Sequence, residues 1–146
     1  HDLDMIGLRY CNVYGPGEYH KEKRASMIFQ MWQLMKQNIA PKLFPYGTQR
    51  RDWIYVADVV KANILAMKTP GTFIVNCGSG HSTAFSNLVN ILNENLNTNL
   101  VPEWIPNGIS ETYQSYTCCD MKKAGEKLAF FPSFTIESGI KEMLKN

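Results

Sequence analysis

The chain has 146 residues, 45% hydrophobic and 19% charged, with 15 Lys and Arg against 13 Asp and Glu for a formal charge of +2. This length suits one compact domain with a usable core, and so small a charge, whose densest basic run Lys21-Glu22-Lys23-Arg24 is broken by an acid, leaves no footprint for nucleic acid. No apolar run is long enough to span a membrane, and the first residues lack the basic-then-apolar form of a signal peptide.

His1-Asp2-Leu3-Asp4 leads almost at once into a strand that reads as buried, with no starting Met and no earlier residues to supply sheet neighbours. A piece of a longer protein is expected. Met5, Ile6, Leu8, Tyr10 and Val13 form the β-favouring apolar run, which Gly15-Pro16-Gly17 stops because proline gives no ladder N–H. Ligands of open α/β sheets sit just outside the carboxyl ends of strands. Asn12, Tyr14, His20 and Lys21 are therefore placed to meet a substrate, with a charged surface loop as the alternative.

Helical spacing of Ala25, Ile28, Phe29, Trp32 and Met35 predicts a helix over 25–36. Lys42-Leu43-Phe44 reads as extended, ended by Pro45-Tyr46-Gly47, and residues 48–52 as a polar loop. A short strand at 53–56 is followed by a helix from Asp58 to Met67, with Val59, Val60, Ile64 and Met67 as its apolar side. Phe73 to Cys77 is a second buried strand, closed by Gly78-Ser79-Gly80. Ser82 or Thr83 then caps a helix with the stripe Phe85, Leu88, Val89, Leu92 and Leu96. Leu100 to Ile105 reads as a strand that Pro102 pushes to a sheet edge. Residues 106–119 carry no clear pattern. Asp120 caps a short helix around Ala124 and Leu128, and Thr135 caps one bearing Ile136, Ile140, Met143 and Leu144.

Cys11, Cys77, Cys118 and Cys119 make no C-x-x-C pair and no metal-ligand spacing, so no metal site is expected. Cys11 and Cys77 sit in strand-like contexts, where Cys behaves as a small hydrophobe. Vicinal Cys118 and Cys119 point to opposite faces of an extended chain. A reducing, cytoplasmic compartment fits this usage. Gly78-Ser79-Gly80 begins like a dinucleotide-binding turn, but the third small residue falls on Thr83, so it reads as a plain strand-to-helix turn. Tyr19 and Lys23 share the Tyr-x-x-x-Lys spacing of short-chain dehydrogenases, but directly after Gly-Pro-Gly a helix is not assured, and the match reads as coincidence.

Leu8-Arg9-Tyr10-Cys11-Asn12-Val13-Tyr14-Gly15-Pro16 resembles the segment that follows the catalytic helix in extended short-chain dehydrogenase/reductases, NAD(P)-dependent enzymes of nucleotide-activated sugars. His20-Lys21, Ala25-Ser26-Met27, Pro41-Lys42-Leu43-Phe44 and Arg51-Asp52-Trp53-Ile54-Tyr55-Val56-Ala57-Asp58-Val59 narrow the resemblance to the ADP-L-glycero-D-manno-heptose 6-epimerase branch. Tyr113-Gln114-Ser115-Tyr116-Thr117 is similar to its substrate-contacting stretch near the C-terminus. The resemblance covers the whole chain but only the C-terminal half of the family's length. It implies an α/β fold, the substrate-binding half of a Rossmann-type enzyme whose N-terminal cofactor half is absent. Residues 1–146 form one substrate-binding region, with about 1–20 and 50–80 completing the absent Rossmann sheet.

The resemblance further implies NADP as cofactor, a nucleotide-diphosphate sugar (ADP-heptose) as substrate, a role in lipopolysaccharide precursor synthesis, and a homo-oligomer in the full-length enzyme. Hydride leaves the heptose C6 for the cofactor and returns to the other face, so two acid/base groups on opposite faces are needed. One matches Lys21, which also meets the cofactor; a lysine serves as a base only where burial or neighbouring cations favour its neutral form. Asn12 matches a substrate-contacting asparagine and Val13 a cofactor-contacting position. Lys23, Gln30, Phe44, Pro45, Tyr46, Gly47, Arg51 and Tyr113 align with substrate-binding positions, Arg51 suited to a diphosphate. The fragment alone is expected to be inactive. The alternatives are another nucleotide-sugar epimerase or dehydratase of the superfamily, or a non-catalytic sugar-nucleotide binding or assembly module.

Overall fold

The computed structural model describes residues 3–108 and 113–145. Its strands are β1 (Ile6–Tyr10), β2 (Asn12–Tyr14), β3 (Lys42–Leu43), β4 (Arg50–Tyr55), β5 (Phe73–Cys77), β6 (Ser82–Ala84) and β7 (Glu103–Trp104). The helices are α1 (Met27–Lys36), α2 (Val56–Lys68), α3 (Phe85–Leu96), α4 (Lys122–Leu128) and α5 (Ile136–Met143), with short 3-10 turns at Glu18–Arg24 and Pro45–Gly47. β1 lies parallel to β5, Ile6 opposite Phe73 through Tyr10 opposite Cys77. At Cys11 the chain changes partner. The Cys11 N–H still donates to the Cys77 carbonyl at 2.9 Å, and β2 then runs parallel to β4 with Asn12 opposite Trp53. β6 pairs antiparallel on the other side of β4, and β3 pairs parallel with β7.

The alternation of β4 divides the interior into two layers, because successive strand side chains point to opposite faces. Trp53 and Tyr55 join the larger core with Phe29, Trp32, Leu88, Leu92 and Ile140 of α1, α3 and α5. Ile54, between them, joins Ala62, Val75, Leu128 and Phe130 on the side of α2 and α4. Leu88 and Leu92 are both 0% exposed, and each such burial contributes about 1.5–3 kcal/mol. Ser26 caps α1 by accepting from the Phe29 N–H at 3.2 Å, and Thr135 with Ser138 forms a capping box on α5, which satisfies otherwise orphan N–H groups.

Several elements depart from the sequence reading. Residues 48–52 are not all loop, since Arg50, Arg51 and Asp52 open β4 and pair with β6. Ser82 and Thr83 belong to that pairing strand instead of capping α3, whose N-cap is Ala84 without a side-chain bond. Of the apolar side assigned to α2, Val59 does pack inward, beside Ala62, Leu65 and Ala66, whereas Val60, Ile64 and Met67 are exposed. β1 is half-buried instead of buried, with Met5 and Tyr10 exposed beside α2. The strand expected over 100–105 shrinks to Glu103–Trp104. The Cys11 and Cys119 sulfurs meet across 108 residues of chain, so Cys11 has a sulfur neighbour that its strand-like context does not reveal. Cys118 is a free, exposed thiol, and burial pushes the thiol of Cys77 up to about 11.

Asp52 is fully buried and accepts four bonds: from the Ser79 N–H and hydroxyl at 2.7 Å each, the Gly80 N–H at 3.0 Å and the Cys119 N–H at 3.0 Å. A Cβ on Gly78 would stand 2.7 Å from Asp52 Oδ2 and 2.8 Å from the Cys119 Cβ, so only glycine lets that turn close on the carboxylate. Asp58, also buried, accepts from the Ser133 and Phe134 N–H groups and docks the segment before α5. Asp52→Ala leaves three backbone donors without their partner and is expected to cost about 3 kcal/mol, read from urea unfolding. A loss below about 1 kcal/mol, the scale of one ordinary hydrogen bond, would contradict this central role.

Candidate active site

A cleft of about 350 Å³ opens just past the carboxyl end of β1, where the chain leaves β5 for β4. β2 supplies Asn12 and Val13, the 3-10 turn supplies Glu18 and Lys21, β4 supplies Arg51, and Tyr113 closes one side. Asn12 is held by its amide Nδ2, which donates to the Asp52 carbonyl at 2.9 Å and leaves Oδ1 as an acceptor. A neighbouring hollow of about 290 Å³ shares Met27, Phe85 and Tyr113 and adds Phe44.

Arg51 and Tyr113 meet because the strand pairing of β4 extends to a distant segment. The Arg50 N–H donates to the Ser115 carbonyl at 2.9 Å, and the Thr117 N–H donates to the Arg50 carbonyl at 3.1 Å. The Arg51 guanidinium then stands 5.0 Å from the Tyr113 ring centre and 6.0 Å from that of Phe85, and Tyr113 meets Phe44 edge-on at 5.2 Å. A planar cation among aromatic faces suits a ligand that carries both an anionic group and a flat ring.

Lys21 stands at the cleft mouth with 43% of its side chain exposed, and its Nζ lies 3.3 Å from Glu18 Oε2. Its contact is a carboxylate, and Arg24 and Arg51 line the same cleft. Gly17, left-handed at φ 79°, begins this turn, and Glu22 at φ 48° kinks it.

The cleft and its neighbour thus gather Asn12, Val13, Lys21, Arg51, Tyr113 and Phe44 from the residues expected at the site. The others stand elsewhere. Lys23 is exposed, and Gln30 spends its amide on the carbonyls of Lys23 and Ala25, at 3.3 and 2.6 Å. Tyr46 is 77% exposed and tilts toward Trp104, Pro45 is exposed, and Gly47 is buried against Ser86. Tyr14 and His20 do not meet the cleft as first expected. Tyr14 is buried beneath α5, where burial above all, with Tyr55, Asp58 and Glu137 near it, raises its pKa far beyond a tyrosine's ordinary range. His20 turns to the Gly17 carbonyl. The sequence reading missed Glu18, whose partners at Gly15 and Ser26 become its neighbours only in the folded chain.

Two other features hold no ligand. Gly78-Ser79-Gly80 follows β5, but its Ser79 and Gly80 N–H groups are already given to Asp52 instead of being free for a phosphate. Cys11, Asp52 and Cys119 bring their ligand atoms within 4.8 Å of one another, yet the carboxylate already accepts four hydrogen bonds. Among the described residues, no helix is long and apolar enough to cross a membrane.

The NAD dependent epimerase/dehydratase family model matches residues 1–78. An ADP-L-glycero-D-manno-heptose-6-epimerase of Brachyspira hyodysenteriae is 34% identical over 143 residues, 94% of this chain and 44% of its own length. The crystal structure of the Helicobacter pylori ADP-L-glycero-D-manno-heptose-6-epimerase superposes with a TM-score of 0.89 at 37% identity, over 99% of this chain and 45% of that one. UDP-glucose 4-epimerase of Thermotoga maritima, solved with UDP-glucose, gives 0.85 at 32% identity over 98% of this chain and 45% of its own. The chain therefore spans less than half the length of these relatives, and its α/β architecture is that of the Rossmann-like extended short-chain dehydrogenase/reductases.

With ADP as a probe that carries both an anionic group and a flat ring, replacing Arg51 by Ala is expected to weaken any binding at the cleft at least about tenfold, since a charge-assisted contact contributes about 1.5–3 kcal/mol. Calorimetric titration reads the change, and an unaltered Kd would contradict the assignment of Arg51 to an anionic group.

Proposed function

The chain belongs to the NAD dependent epimerase/dehydratase family, and from that membership we propose that it is the substrate-binding part of an NADP-dependent nucleotide-sugar epimerase that interconverts the two C6 epimers of an ADP-activated heptose. The observation that carries this reading is the joining, in one cleft, of the Asn12 amide, the Lys21 amine and an aromatic-flanked guanidinium at Arg51. Cytoplasmic synthesis of lipopolysaccharide precursors is the setting we assign to it, with a homo-oligomer as the working form.

The residues divide the ligand by chemistry. Arg51, between Tyr113 and Phe85, takes the diphosphate, and Phe44 with Tyr113 lines the nucleotide. Lys23, Pro45, Tyr46 and Gly47, on 3-10 turns outside the cleft, and Gln30, on α1, are assigned to the substrate as well and meet it only if these segments shift around it. Asn12 offers its free Oδ1 to a sugar hydroxyl while the Asp52 carbonyl fixes its Nδ2. Lys21 holds a proton at Nζ and exchanges it with the oxygen on the reacting carbon from one face, and a group outside this chain serves the other face. Val13, at the cleft wall, and Lys21 are assigned to the nicotinamide end of NADP. When bound, the nicotinamide supplies reversible hydride uptake. The cofactor's phosphates fall to residues outside this chain, because the Gly78–Gly80 turn has given its donors to Asp52.

We assign residues of about 1–20 and 50–80 to a Rossmann sheet completed by strands this chain does not contain. The exposed side of β1 and α2 supports this reading, because Tyr10 and Met67 are exposed there and line a hollow of about 530 Å³. The 146-residue chain alone is accordingly expected to show neither tight NADP binding nor turnover, and measured NADP-dependent epimerisation by it would overturn that. In the complete encoded protein, NMR should show interconversion of the ADP-heptose C6 epimers. Lys21→Met should lower kcat at least about 100-fold, the scale of one acid/base group, while circular dichroism stays unchanged, since Glu18 keeps three donors. No epimerisation, or an unaltered kcat in the variant, would contradict the reading; turnover of UDP-glucose in its place would assign the protein to a 4-epimerase instead.

A further inference from the structure

Glu18 is 4% exposed, at the mouth of a cleft where a carboxylate without partners would be costly. Four donors meet it. Oε1 accepts from the Gly15 N–H at 3.2 Å and the Ser26 hydroxyl at 2.8 Å. Oε2 accepts from the Ser26 N–H at 2.8 Å and from Lys21 Nζ at 3.3 Å. These donors come from three places: the turn that ends β2, the N-cap of α1, and the 3-10 turn between them. The Ser26 hydroxyl passes the link on, since it donates to Glu18 while accepting from the Phe29 N–H inside α1.

Lys21 itself has little else to hold it. Its side chain is 43% exposed, and the short turn beneath it is bounded by the left-handed Gly17 and kinked at Glu22. A lysine stem loses up to about 2 kcal/mol of rotamer entropy when fixed, so a half-exposed lysine stays in one place only if a partner holds it. We propose that Glu18 is the positioning residue for Lys21, its buried carboxylate tying the Lys21 ammonium, the Gly15 turn and the Ser26 cap into one unit at the cleft mouth. This rests on the reading of Lys21 as the proton-carrying group. Glu18 does not touch substrate; it acts through Lys21.

The test uses the complete encoded protein with Glu18→Gln, Lys21→Met and the double variant, and Glu18→Asp in place of Glu18→Gln should circular dichroism show the latter unfolded. Glu18→Gln is expected to lower kcat for ADP-heptose epimerisation at least tenfold with KM changed less than threefold. In the Lys21→Met background the same change should leave the residual rate unaltered, because the residue through which Glu18 acts is gone. A loss of the same size in both backgrounds would make Glu18 merely structural and overturn the proposal. Absence of turnover in the unaltered protein would instead sink the epimerase reading. In that case the decision passes to acetic anhydride labelling of individual lysines, followed by mass spectrometry. Glu18→Gln should change the labelling rate of Lys21 at least threefold while that of the remote Lys68 holds, and equal Lys21 rates would overturn the positioning role.

Discussion

Burying Asp52 is tolerable only if its lone pairs meet donors, and the donors it meets lie far away in sequence. The Ser79 and Gly80 N–H groups come from the turn after β5, and the Cys119 N–H comes from the segment that follows Tyr113. The carboxylate thus fixes how the two sheet portions meet. It also holds the turn at Gly78 so close that no side chain fits there. The same residue's backbone carbonyl receives the Asn12 amide, so the side chain that offers itself to a sugar is set by the residue that organises the fold.

Two further buried acids repeat this device at other joints. Asp58, at the start of α2, collects the N–H groups of Ser133 and Phe134 and so seats α5 against β4. Glu18 gathers the turn after β2, the cap of α1 and Lys21. Each carboxylate satisfies donors that no helix or strand ladder could reach, which is the general requirement for irregular segments near a core. The functional consequence is specific. The cleft lies where short strands and turns converge: strand pairing places Asn12, Val13 and Arg51, and a buried acid, Glu18, holds Lys21 at the mouth.

What the sequence revealed follows from whether a residue's partners were local. The strand Phe73–Cys77 and the stripe of Phe85, Leu88, Val89 and Leu92 stood out because period and burial are local properties. Thr135 as a cap was legible for the same reason. Arg50 to Asp52 read as a loop because the run is polar, and its strand character comes from pairing with β6 and with Ser115 and Thr117. The facing of α2 was misread because its apolar residues occupy two sides, and only contact with Val75 and Leu128 decides which is inner. At the site, Asn12, Lys21, Arg51 and Tyr113 could be named from motif resemblance, whereas Glu18 and the meeting of Cys11 with Cys119 depend on contacts that only the folded chain displays.

The account's central claim is that one cleft holds an ADP-heptose with its diphosphate at Arg51 and its sugar between Asn12 and Lys21. A crystal structure of the complete encoded protein with ADP-heptose and NADP tests it most directly. The account predicts phosphate oxygens on the Arg51 guanidinium, a base ring against Phe44 and Tyr113, and the heptose within hydrogen-bond reach of Asn12 and Lys21. A nucleotide sugar bound elsewhere, or a heptose that approaches neither Asn12 nor Lys21, would contradict it.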